Sequence, residues 1–452
     1  MCQNHGIATA PGVKAKSQEP TLSQELIDSI TKSVSDGFDE QLAFTQKLIQ
    51  LGGQRGEEGE IQEFMFKQFS DRGYNPVQFD IDPEAIAQHV GGGRISATHS
   101  KAPIVVGVHK PKQQAPNGKS LIINGHVDVV PLGPTDLWTL DPYSGVIEGD
   151  KLYGRGAGDM RAGVGVYVKA LDALTRVGLQ PASEVILESV VEEESTGNGT
   201  LMTHLKGYKA DAALIPEPVG EELVRANVGV LWFQVEVRGK PVHVREMATG
   251  TNAIDASWKV IEALRELEKD WNAREIGREL YIEQHKELEH PLNLNVAMMH
   301  AGDWQSSVPA WCRVDCRIAI YPGVSAKSAA DEIEAKVAEV TEANDFLKKT
   351  PPKVTWNGFY AEGYVLEPGS DAESVLQKAH QQATGETLRS AFSGAYLDSR
   401  VHSLYDKIPA LCYGPLAGNI HGFDEWVSVK SIKNVTIAVA LFIAEWCGVE
   451  KI

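Results

Sequence analysis

The chain has 452 residues, 42% hydrophobic and 23% charged, the balance of an ordinary globular protein, and it exceeds the roughly 250 to 300 residues beyond which one core usually splits, so two domains are expected. Asp and Glu outnumber Lys and Arg by 61 to 43, and the net charge of -18 disfavours nucleic acid or an anionic membrane as a partner. The longest apolar run, VTIAVALFIA at 435–444, falls short of the ~20 residues of a bilayer span, and the opening MCQNHGIATAPGVKAKSQEP lacks the apolar stretch of a secretory signal, so a cytoplasmic location is expected.

Residues 1–20 read as a loose arm. From 22 to 73 the apolar spacing is helical, ending on a glycine stop signal at Gly73. Short apolar runs then alternate with helical stretches. PIVVGVH (103–109), SLIINGHVDVV (120–130), EVILESVV (184–191) and AALIPEP (212–218) are strand candidates, and 161–179 is a helix with Val164, Val168, Leu171 and Leu174 on one face. This alternation predicts right-handed crossovers and a mostly parallel sheet with helices on both faces.

Around 225 the texture changes to the two-residue period of half-exposed strands, in VLWFQVEVRG (230–239), LNLNVAMMH (292–300) and AWCRVDCRIAIYPG (310–323). Two amphipathic helices accompany them, one with Ile254, Trp258 and Ile261 expected inward, the other with Ile333, Val337 and Val340. The five cysteines are scattered and odd in number, which argues against a disulfide framework. Cys312 and Cys316 fall on one face of an alternating strand and read as small core residues; Trp232, Trp258 and Trp304 are likewise assigned to core or interface. Near 360 the α/β texture returns, with a helix at ESVLQKAHQQAT, a strand at IPALCYGP and a terminal helix from 430. The fold class is therefore α/β: a domain over 21–226 and 358–452, interrupted by a smaller α+β domain over 227–357 with an antiparallel sheet and two helices.

Acidic and histidine residues interrupt apolar segments at their ends. His126 and Asp128 follow LIIN, Asp159 closes LYGRGAGD, Glu192, Glu193 and Glu194 follow LESVV, Glu217 sits in LIPEP, and His421 follows CYGPLAGNI. If these lie on strand-to-helix connections, they meet at the carboxyl edge of the sheet, where ligands bind. Clustered carboxylates repel one another unless a cation is present, and a mixed His and carboxylate set suits Zn²⁺. Two imidazoles and three carboxylates exceed what one catalytic zinc accepts and fit a two-ion site. Asp128 would then orient His126 from behind. GRGAGD does not make a dinucleotide loop, because its third glycine is misplaced and Asp159 would repel phosphate at the helix start.

In order and spacing, GHVDVVP, YGRGAGDMRAG, VEEESTGNGT, PEP and HGFDEWV resemble the M20 metallopeptidase and deacylase family, over roughly residues 40 to 446. The resemblance implies that His126 and Glu217 bind one ion, Glu194 and His421 the other, and Asp159 both, the ions being Zn²⁺ with Co²⁺ able to substitute. It implies Glu193 as general base and a non-proline cis peptide after Asp159. It further implies a homodimer formed through the inserted domain, His243 crossing the interface to stabilise an oxyanion in the partner's site, Asn295 and Arg317 positioning substrate, and Gly414 offering a backbone N–H. The expected activity is hydrolysis of a small-molecule amide, foremost deacylation of an N-acyl amino acid, with a dipeptidase or carboxypeptidase as the alternative. A catalytically silent dimeric binding protein on the same scaffold is disfavoured because Glu193 and the whole ligand set are present.

Overall fold

The computed structural model describes residues 22–274 and 290–452; the arm expected over 1–20 lies outside the described residues. The larger sheet has six strands in the order Val77–Phe79, Ile104–His109, Val185–Val190, Leu121–His126, Ala212–Ile215 and Ala410–Cys412. The last four run parallel, while Ile104–His109 is antiparallel to Val185–Val190 and Val77–Phe79 is antiparallel to Ile104–His109. Every residue of Leu121–His126, Val185–Val190 and Ala212–Ile215 is buried, which is why these strands read as unbroken apolar runs. Leu121, Ile123 and Leu187 face one core and Ile122, Ile186 and Val190 the other, so both faces are covered, as expected.

The 22–73 stretch forms three helices, Gln24–Asp36, Phe38–Gln50 and Gly59–Asp71. The first two are separated at Gly37, a break the periodicity does not reveal. Its missing side chain leaves room for the Arg176 guanidinium, with which a Cβ there would collide. Helices Ala162–Arg176 and Val429–Cys447 are buried almost all round and pack on each other through the main core. No helix among the described residues is long and apolar enough to cross a membrane.

A second, antiparallel sheet has the order Leu294–Ala301, Trp311–Ile320, Gly229–Arg238, Lys353–Ala361. Helices Ala253–Asn272 and Ala326–Glu342 cover one of its faces, joining Leu231, Phe233, Val235, Val314, Cys312 and Cys316 to Val260, Ile261, Leu264, Ile333 and Val337 in a separate core. Cys312 and Cys316 are thus core residues, as read. Trp258 is not: it is 51% exposed, because the inward stripe runs through Ala256, Val260, Leu264 and Leu267 rather than through Ile254 and Trp258. Trp304 is also on the surface. The sequence reading missed the strand Lys353–Ala361, within which position 357 falls; Gly358 and the polar residues around it mask its alternation.

Candidate metal centre

His126 ends its strand in full burial, and its Nδ1 lies 3.0 Å from the Asp128 carbonyl oxygen. The Asp128 carboxylate is farther from the ring, at 3.6 Å, and accepts instead from the backbone N–H groups of Glu193 (3.4 Å) and Glu194 (3.2 Å). Asp128 therefore ties two strand ends together, orienting the imidazole with its carbonyl and the glutamate turn with its carboxylate. Glu192, in the left-handed region at φ 70, points away from this centre. Its carboxylate is gripped by Arg55 Nε and Nη2 at 2.6 and 2.7 Å and accepts from the Ser100 N–H at 2.7 Å.

Asp159 and His421 do not come from the six-stranded sheet, contrary to the expectation that all five sites meet at the carboxyl edge of one sheet; Asp159 does sit on a strand-to-helix connection, but of a different sheet, and His421 sits on a strand-to-strand one. Asp159 lies in the turn between Lys151–Tyr153 and the helix Ala162–Arg176, and His421 in the hairpin between Ala417–Gly418 and Trp426–Ser428. Trp426–Ser428 pairs with Lys151–Tyr153 in one small sheet, which is what carries Asp159 and His421 together. The peptide bond from Asp159 to Met160 is cis, as the resemblance implied. The turn is anchored by Glu425, which the sequence reading left unassigned although it stands in HGFDEWV. Its buried carboxylate accepts from Arg155 Nη1 (2.7 Å) and from the N–H groups of Gly156 (3.1 Å), Gly158 (3.0 Å) and Asp159 (3.1 Å). A second acid, next to Asp424 and directly before the short apolar run WV, was the available signal.

The five side chains assigned as ligands meet. Asp159 Oδ1 lies 3.0 Å from His126 Nε2, and Asp159 Oδ2 lies 3.5 Å from His421 Nε2. Glu217 Oε1 stands 3.7 Å from His126 Nε2 on one side, and Glu194 3.1 Å from His421 Nε2 on the other. Potential donor atoms of His126, Asp159 and Glu217 lie within 4.8 Å of one another, as do those of Asp159, Glu194 and His421. Glu193 Oε2 approaches His126 Nε2 to 4.0 Å. Electrostatics follow from this crowding. Burial would lower the His126 imidazole, but Glu217, Asp128 and Asp159 hold it well above its usual range. Glu194, against burial, pushes His421 up to about 11. Burial would raise Asp159, but the two imidazoles hold it well below the carboxylate range. Burial, reinforced by neighbouring carboxylates and opposed by His126, drives Glu193 and Glu217 upward. A buried Glu217 Oε1 without a hydrogen-bond partner, in a set of two imidazoles and several carboxylates, is the donor chemistry that divalent cations take.

The centre opens into a cavity of about 780 Å³ between the sheet edge and the free face of the antiparallel sheet. Asn295 and Arg317 line it, as do Glu193, Glu194, Glu217, Asp159 and His421. Gly414 does not; its backbone packs on Pro216 and Glu217, where a Cβ would collide, so a packing reason for this glycine is visible. His243 is exposed, caps a short turn by accepting from the Arg245 N–H at 3.1 Å, and lies outside the cavity of its own chain. Trp232, assigned to core or interface, is instead half-buried in the cavity wall, and Asp315, Asn357 and Phe359 line the cavity without having been singled out, because which face of an alternating strand meets a ligand is not encoded in the alternation.

Among known proteins, the chain is 26% identical over 352 residues to the N-formyl-4-amino-5-aminomethyl-2-methylpyrimidine deformylase of Halalkalibacterium halodurans, covering 74% of this chain and 80% of that protein. It is 28% identical over 329 residues to the succinyl-diaminopimelate desuccinylase of Methylibium petroleiphilum, covering 70% and 79%. Its fold is similar to that of a di-peptidase of Saccharomyces cerevisiae, with a TM-score of 0.74, 15% identity and coverage of 93% and 98%. Human carnosine dipeptidase 1 is also similar, with a TM-score of 0.71, 14% identity and coverage of 93% and 99%. The family model for peptidase family M20/M25/M40 matches residues 122–445, a span holding all five clustered side chains, and the chain belongs to that family of metal-dependent hydrolases.

Proposed function

We propose that this protein is a two-metal amide hydrolase that removes the acyl group from an N-acyl amino acid or related N-acyl amine. The observation that carries the reading is the position of Asp159, whose two oxygens each face a different imidazole, Oδ1 3.0 Å from His126 and Oδ2 3.5 Å from His421, each imidazole flanked by a further carboxylate. One residue so placed can serve two ions at once. The names of the sequence relatives support acyl transfer from nitrogen to water, since one is a deformylase and another a desuccinylase.

His126, Asp159 and Glu217 would hold one ion and Asp159, Glu194 and His421 the other, Zn²⁺ being the ion that this donor set suits best. Such a pair, when bound, supplies Lewis acidity toward the carbonyl and a water acidic enough to attack at neutral pH. Glu193, buried beside His126 and facing the cavity, takes a proton from the attacking water and returns it to the amine nitrogen as the C–N bond breaks. Arg317 and Asn295 bind and orient the substrate from the sheet face. We further assign a homodimer in which His243, too exposed to serve its own cavity, reaches that of its partner and stabilises the developing oxyanion.

The test is hydrolysis of a panel of N-formyl, N-acetyl and N-succinyl amino acids and dipeptides, before and after chelation. Activity on N-acyl substrates should vanish with chelation and return with Zn²⁺ or Co²⁺. Full turnover after exhaustive metal removal, or turnover of dipeptides alone, overturns the reading. Glu193→Gln should retain metal and lose about 10² to 10⁴ in rate.

A further inference from the structure

We infer that the cavity selects a substrate carrying a planar aromatic ring with an N–H donor on its edge, the ring resting on Trp232 and the donor reaching Asp315. The inference rests on the amide-hydrolase reading and adds the chemistry of the group that the substrate presents to the antiparallel sheet.

Trp232 and Phe359 stand on adjacent strands, ring centroids 5.2 Å apart and perpendicular, and Phe359 continues onto Tyr396 at 4.4 Å. All three line the cavity. Phe359 and Tyr396 are nearly covered, whereas the Trp232 indole is half-buried and offers the open surface of this wall. Two glycines hold the rings in place: a Cβ at Gly358 would collide with the indole, and one at Gly197 with the Tyr396 hydroxyl. That hydroxyl donates to Asp398 Oδ1 at 3.0 Å, so the polar end of Tyr396 is already satisfied. What remains is a fixed aromatic surface, whose quadrupole favours a second ring in offset or edge contact.

Asp315 supplies the polar half. Its Oδ1 accepts from Gln234 Nε2 at 2.9 Å and Asn357 Nδ2 at 3.2 Å, and no donor among the described residues reaches Oδ2. Arg317, two residues along the same strand face, is turned to the Gly394 carbonyl, to which it donates at 3.0 Å. The strand register sets Trp232 opposite Arg317 and Gln234 opposite Asp315, so Trp232 and Asp315 are diagonal neighbours about 7 Å apart. One six-membered ring bearing an amino group spans that distance. A carboxylate with a spare oxygen inside a cavity is a strong acceptor for such a donor.

The test compares kcat/KM for N-acetylbenzylamine with N-acetylcyclohexylmethylamine, and for the 4-aminobenzyl amide with its 4-methylbenzyl isostere. The aromatic member should lead by about three- to tenfold and the amino-bearing member by about tenfold. Trp232→Leu should bring the first ratio to about one, Trp232→Phe should retain it, and Asp315→Asn should collapse the second. Equal rates within both pairs in the unaltered protein overturn the inference, as do ratios unmoved by these substitutions. If no amide is cleaved, the hydrolase reading falls, and calorimetry with 4-aminobenzylamine against cyclohexylmethylamine decides this one: preference lost in Asp315→Asn sustains it, and equal affinity ends it.

Discussion

Replacing Glu425 by Gln should destabilise the fold and loosen the metal centre without touching a ligand. The Glu425 and Arg155 side chains are 1% and 2% exposed and meet at 2.7 Å, so the substitution leaves a buried guanidinium uncompensated. Breaking a buried pair in this way costs about 3 to 5 kcal/mol. A glutamine can accept with only one of its two terminal atoms, so either the Gly158 and Asp159 N–H groups or the Arg155 and Gly156 donors would face an amide NH₂. Unfolding entropy of about 2.1 cal/mol/K per residue over a unit of roughly 300 residues turns that cost into a Tm loss of about 5 to 8 °C. Because the Asp159 turn is held by the same carboxylate through Gly156, Gly158 and Asp159, either orientation of the amide loosens it, and metal content should fall as well. Thermal unfolding followed by near-ultraviolet circular dichroism in chelator, together with elemental analysis after loading with Zn²⁺, measures both effects. The double variant Glu425→Gln with Arg155→Met should recover part of the Tm, since the uncompensated charge is gone, but not the metal content. A Glu425→Gln protein that melts within about 1 °C of the parent and carries the same metal would refute the argument that this carboxylate holds the Asp159 turn.

Mixing His243→Ala subunits with Glu193→Gln subunits should restore part of the activity in mixed dimers, since one composite site then has both groups; no recovery in verified heterodimers would return His243 to a capping role. Glu58 is buried, with Oε1 unpaired and Oε2 accepting from the Gly56 N–H and Ser100 hydroxyl, and burial followed by the nearby Asp128 charge pushes it up to about 7. A carboxyl raised in the folded state favours folding fully only below its unfolded value, and that contribution is lost as pH climbs through the folded one. Glu58→Gln should therefore gain stability over the parent between pH 5 and 8, on the order of 3 kcal/mol. Paired thermal melts across that range check it; a Tm difference that does not grow with pH would dismiss the strain.

Much of the centre was legible because buried strands make polar intruders conspicuous. His126 closing LIINGH, Glu193 and Glu194 shortly after LESVV and Glu217 two residues after LI are anomalies at the ends of fully buried strands, and all three strands are parallel and adjacent in the sheet. Glu425 and Arg155 were not legible as a pair, because nothing in the local pattern shows that residues 270 positions apart share a bond. Trp258 was misplaced for a related reason: a helix with two possible apolar stripes is resolved only by the sheet against which it packs.

The apolar strands and helices of the α/β unit, its interruption by alternating strands and the His and carboxylate residues at the strand ends are properties of local period and composition, and the sequence alone determined them, while the strand Lys353–Ala361 and the break at Gly37 escaped it. Tertiary structure decided that Asp159 and His421 arrive on a small separate sheet, that Asp128 works through its carbonyl as well as its carboxylate, and that Trp232 and Asp315 face the cavity. Those outcomes depend on which surfaces meet across long stretches of chain, and such meetings are set by the packing of whole elements rather than by any neighbourhood of the sequence.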